Sequence, residues 1–229
     1  MIMIEIVLQP RILEPKDWAT CLFVFSFILI AITKTAFETR FSEFLRILVS
    51  DKYVKVYKDT SHLMSGFTIL LFLVQIISFS FFIQLALYHF GYVSKMEKTD
   101  WVIFLRIFTF FGIFVLSKFL IEKIVAAIFN IEEFAEQFNL QKVSYRTFVG
   151  MILLPINIYL FYNNTSSNIL IYCIIIGILI INLFSYLVSL KIYQNLLIGN
   201  LFYFILYLCA LEIAPYYFIY YLITKNLAH

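Results

Sequence analysis

The sequence predicts an all-α fold, a polytopic transmembrane bundle of six spans with amphipathic interfacial segments. Three observations carry that expectation. The 229 residues are 63% hydrophobic and only 14% charged, with mean hydropathy +0.94, where a soluble domain carries about a quarter charged residues. The apolar residues gather into six long runs, and a hydrocarbon core of ~30 Å needs about 20 apolar residues at ~1.5 Å each. The polar residues fall between those runs, in short turns and in two amphipathic stretches.

In chain order, residues 1–17 form a tail containing Pro10 and Pro15. Its apolar stretch is too short for a secretory signal, and no basic residues precede it. The first span covers about 18–36, with Trp18 placed as an interfacial anchor. Residues 37–61 read as an amphipathic helix: Phe37, Phe41, Phe44, Leu45 and Leu48 recur at helical spacing, while Glu38, Arg40, Glu43 and Arg46 fill the other side. Its continuation carries Lys52, Lys55 and Lys58 between apolar residues, suited to anionic headgroups or to a docking partner.

The second span is expected over about 63–90 and the third over about 101–129, a run longer than a bilayer needs, so that it must tilt or protrude. A second amphipathic piece follows at 130–146, acidic at its start, with Phe134 and Phe138 along one side. The fourth span, about 147–162, is short and carries Pro155. The fifth is expected over about 169–190, followed by a polar connector to Asn200, the sixth over about 201–223, and residues 224–229 form a tail.

Six spans put both termini on one side. With adjoining helix ends, the first, third and fifth loops hold nine Lys and Arg residues against five on the other side. The rule that basic loops stay in the cytoplasm then places both termini outside it.

The run Leu206-Tyr207-Leu208-Cys209-Ala210-Leu211-Glu212-Ile213-Ala214-Pro215 resembles the domain-of-unknown-function 4271 family, integral membrane proteins of Bacteroidota. Asp17-Trp18, Arg40-Phe41, Ser50-Asp51-Lys52-Tyr53 and the Gly150–Pro155 stretch are similar to it too, so the likeness runs from about Asp17 to the end. The resemblance implies a Gram-negative inner membrane, hence periplasmic termini, and supplies no activity.

The intramembrane charges are the candidate site. An acid in mid-bilayer costs roughly 2.5–3.5 kcal/mol on insertion scales, so Glu212 in the sixth span calls for a partner or a purpose. Pro215 frees a backbone carbonyl beside it. Counting ~1.5 Å per residue through a ~30 Å core, Arg106 lies within about 5 Å of the depth of Glu212 and Lys118 within about 13 Å. Arg106 is therefore the expected partner, and Lys118 is expected to pair with Glu122 at i+4.

No paired carboxylates, nucleophile–base pair or phosphate loop stands out. Cys21, Cys173 and Cys209 lie inside apolar runs, and His62, His89 and His229 are scattered, so no metal or cofactor is expected. A net charge of +3 is too small to imply nucleic acid. The expectation is a non-enzymatic inner-membrane subunit that docks protein partners. Its alternative is a small transporter or proton-coupled channel built on Glu212 and Arg106.

Overall fold

The structure, a computed structural model, describes residues 16–47, 65–91, 99–128, 132–163 and 168–199, with the backbone alone at 132–135, 137, 168 and 186–199. These residues form helices α1 (Asp17–Ala36), α2 (Glu38–Leu45), α3 (Gly66–His89), α4 (Trp101–Ile128), α5 (Glu132–Tyr162) and α6 (Asn168–Gly199), with no strand among them. Four stretches are long and apolar enough to cross a membrane: α1, α3, α4 and the Phe138–Tyr162 part of α5; α6 adds the apolar segment Ile169–Ser185. The protein is a membrane-embedded all-α bundle. The expected sixth span, with Glu212 and Pro215, lies outside the described residues, as do Lys52, Lys55 and Lys58.

Two elements differ from their sequence reading. The amphipathic piece at 130–146 and the fourth span are one helix, α5, running from Glu132 through Pro155 to Tyr162. Its polar first half stays helical because it is packed into the bundle, with Phe138, Leu140, Tyr145 and Phe148 all buried. Pro155 removes one backbone hydrogen bond, but its fixed φ is already helical. Likewise α6 does not stop at Leu190 but continues through the polar connector to Gly199.

Helix α3 is the axis. Sixty-one per cent of its most apolar window is buried, against 11% in α4, so α3 is packed on several sides while α4 touches the bundle along one edge. Its neighbours are α1, α4 and α5. Three polar residues buried along α3 are hydrogen-bonded to the segments beside it. Thr147 Oγ1 donates to Gln75 Oε1 at 2.9 Å, Asn157 Nδ2 donates to the Ser78 carbonyl at 2.7 Å, and Gln84 Nε2 donates to the Asp100 carbonyl at 3.1 Å. Between the first two bonds α3 and α5 come together at Gly150, where an added Cβ would stand 3.0 Å from the Gln75 Cα. Small residues at crossings let membrane helices approach in this way.

The alternating helices give the bundle two unlike ends. One is aromatic: Trp18 stacks on Phe81 with ring centroids 5.6 Å apart, Phe23 lies 4.4 Å from Phe81, and Phe104 and Phe161 close the cluster. Trp18 Nε1 donates to the Thr99 carbonyl at 2.9 Å, satisfying the one polar atom of the indole. The other end is basic. There α2 folds back on the bundle, burying Phe41, Phe44 and Ile47 against Phe67, Tyr145 and Phe148. Arg40 lies 4.6 Å over the Phe67 ring and donates to Ser65 Oγ at 2.9 Å, while the Tyr145 hydroxyl donates to the Ile47 carbonyl at 3.2 Å.

Candidate functional site: a basic cavity at the α4–α5 hairpin

Helices α4 and α5 are consecutive and antiparallel, and both carry a mixed face at the basic end. On α4 it is Val115, Lys118, Phe119 and Glu122; on α5 it is Asn139, Lys142, Val143 and Arg146. Each set has the spacing i, i+3, i+4, i+7 that aligns side chains on one side of a helix. Thr68, Ile69 and Phe72 of α3 form the third wall. Between the three helices is a cavity of about 370 Å³.

Its polar side chains are drawn inward. Lys118 is 9% exposed, and Glu122 and Asn139 are 4% exposed each, so the charges lie in the cavity wall and not on the open surface. Lys142 Nζ lies 3.3 Å from Glu122 Oε1, an ion pair shielded from water on both sides. The same ammonium stands 5.1 Å over the Phe138 ring, whose electron-rich face supports it. The antiparallel register that sets Lys142 against Glu122 sets Arg146 level with Lys118, one helical turn deeper. Among the described residues the lining holds three cations and one acid, with Thr68 and Asn139, on otherwise apolar walls.

Depth gives this chemistry a location. At ~1.5 Å per residue, Lys118 and Glu122 lie ~26 and ~32 Å along α4 from Trp101, and Arg146 and Lys142 lie ~24 and ~30 Å along α5 from Tyr162. Trp101 and Tyr162 lie at the aromatic end, so the charged wall lies toward the opposite, basic end of the bundle. The exposed side chains Ile69, Leu116 and Leu120 border the cavity, which therefore opens through an apolar rim.

The structure redistributes the residues singled out from sequence. Lys118 and Glu122 do share the cavity, and the ion pair drawn to Glu122 comes from Lys142 across the hairpin. Arg106 is exposed on α4, and its expected partner Glu212 lies outside the described residues with Pro215. Phe41, Phe44 and Phe138 are 6%, 1% and 1% exposed, their rings used in internal packing, whereas Arg46 is exposed. The Phe134 side chain, like Lys52, Lys55 and Lys58, lies outside the described residues. Sequence reasoning missed Asn139, Lys142 and Arg146 as site residues. Their regular spacing was the available signal, hidden because residues 130–146 read as a surface piece separate from the span that follows.

A family model described as Domain of unknown function (DUF4271) matches residues 19–223, so the chain belongs to that family. No curated protein and no solved structure matches the chain.

Proposed function

We propose, from membership of the DUF4271 family as premise, that the protein is a non-enzymatic subunit of a bacterial inner-membrane complex, its basic end in the cytoplasm and its termini in the periplasm. The orientation is supported by the segregation of charge. Among the described residues, Lys34, Arg40, Arg46, Lys123, Lys142 and Arg146 belong to the basic end, and the end with the aromatic cluster has Lys16 beside Asp17 and, five residues into α4, Arg106. Basic residues are held on the cytoplasmic side during insertion.

The observation that carries the docking role is α4. It is long enough to cross the bilayer with turns to spare, yet only 11% of its apolar window is buried within the chain. Ile113, Leu116, Leu120 and Ile124 form an exposed stripe at i, i+3, i+7, i+11, a pattern that fits a helix of a second protein. A photo-crosslinking residue at Ile113 or Leu120, installed in native membranes, is expected to give discrete protein adducts. The same residue at Phe25, on the exposed side of α1, is expected to give lipid adducts alone. Lipid adducts alone at both α4 positions would sink the docking role.

A further inference from the structure

We infer that the helix docking on α4 presents a carboxylate to Arg106, so that the partner is a spanning helix of another protein, apolar along the shared face but for one Asp or Glu. This rests on the docking role of α4 and adds the chemistry of its partner.

Arg106 is where the exposed face of α4 stops being apolar. It precedes Ile113 and Leu120 at seven-residue intervals, and seven residues bring a helix round to within about 20° of the same direction. The guanidinium therefore stands in line with the stripe and is exposed with it. It lies ~8 Å along α4 from Trp101, inside the span. Among the described residues no hydrogen bond, ion pair or ring contact engages it. A charge on the side of a spanning helix is costly unless it meets an opposite charge or reaches the interface. Reaching the interface would serve an arginine anywhere round the helix. This one is in register with Ile113 and Leu120, so a helix seated on them would cover it, and a guanidinium buried without a partner opposes docking. A carboxylate on the incoming helix removes that opposition, because the planar fork of the guanidinium takes both of its oxygens.

Two nearer occupants fail on geometry. A second copy would lie in the membrane in the same orientation, with its α4 parallel to the first. Along a seam of seven-residue repeat each position then meets its own counterpart. Arg106 would face Arg106, a repulsion that a low dielectric strengthens. The chain's own acid, Glu212, is at the wrong level. Helix α6 starts at the aromatic end, where Ile171 packs into the cluster, and holds to Gly199, ~46 Å along its axis. A helical return over the thirteen residues from Gly199 to Glu212 would recover only ~20 Å, roughly 20 Å short of the level of Arg106.

The test uses the full chain in native membranes with a photo-crosslinking residue at Ile113, and compares the otherwise unaltered protein with Arg106→Gln and Arg106→Lys. The protein adduct is expected to fall about thirtyfold in Arg106→Gln, the scale of loss when one partner of a buried charge pair is removed. Arg106→Lys, which keeps the charge, should lose much less. Sequencing of the crosslinked peptide is expected to find an Asp or Glu about two turns from the attachment point, the distance from Ile113 to Arg106. Changing that acid to Arg should restore the adduct in Arg106→Glu. An adduct undiminished in Arg106→Gln, or a crosslinked helix with no acid there, would overturn the inference and leave the docking role standing. Attachment to a second copy or to residues 201–223 of the same chain would overturn it in favour of that occupant. No protein adduct from the unaltered chain would remove the docking role itself, and this inference with it.

Discussion

Replacing Gly150 by alanine tests the close approach that sets the spacing of the bundle. An alanine Cβ would sit 3.0 Å from the Gln75 Cα, 3.1 Å from its Cγ and 3.2 Å from its Cβ. Carbon atoms prefer about 3.5–4.0 Å. The nearest obstacle is backbone, which cannot rotate aside, so α5 would have to move from α3 by roughly half an ångström to restore ordinary contact. Overpacking of this kind costs about 1–3 kcal/mol. The displacement also strains the hydrogen bond from Thr147 to Gln75, one turn away on the same two helices. Alanine, however, is the better helix former by about 1 kcal/mol, and that gain would mask part of the loss.

Gly177 in α6 removes the ambiguity. It too lies inside a helix, but an added Cβ there meets nothing within 4 Å. Both alanine variants gain the same helix propensity, so the difference between them isolates the packing cost, about 1–3 kcal/mol. At roughly 2–4 °C per kcal/mol for a chain of this size, Gly150→Ala should melt several degrees below Gly177→Ala in detergent. Gly177→Ala itself should match or exceed the unaltered protein. Equal midpoints for the two variants would refute the close α3–α5 contact.

Three further outcomes are expected. Glu122→Gln removes one partner of a shielded ion pair and should cost about 3–5 kcal/mol; in a thermal-melt cycle with Lys142→Gln, the double variant should lose less than the two singles together, and additive losses would exclude the pair. Trp18→Phe keeps the ring packing on Phe81 but leaves the Thr99 carbonyl without the indole donor, a loss of about 1 kcal/mol by the same measurement. A reporter active only in the cytoplasm, fused after His229, should be silent, and a strong signal there would reverse the proposed orientation.

The fold class was legible because the hydrophobic effect is written along the chain as length and composition. The described parts of the expected runs 18–36, 63–90, 101–129, 147–162 and 169–190 fall on helices, four of them matched by stretches long and apolar enough to span. Helix ends were less legible. Residues 130–146 look like a surface piece by composition, and only burial of Phe138, with Tyr145 and Phe148 packed on α3 and α2, shows why the helix runs on. The phenylalanines of α2 illustrate the same limit. Their helical spacing correctly marks one apolar face, but spacing does not distinguish a lipid surface or a partner from the protein's own interior, and Phe41 and Phe44 face the interior.

The site was half legible for a related reason. A rule of local sequence links Lys118 to Glu122, because i and i+4 are neighbours on any helix. The contact of Glu122 with Lys142 spans twenty residues of separation and depends on the rotational phase of two helices about a turn, which sequence spacing alone does not set. What the structure adds is a reason for the charges to be there at all. A shielded ion pair is often no more stabilising than apolar side chains of the same size, because both charges must first leave water. Stability would be served as well by leucines at Lys118, Glu122, Lys142 and Arg146, and the cavity would then close. Lys118, Glu122, Lys142 and Arg146 instead line an open space of about 370 Å³, so packing of the bundle alone does not account for them.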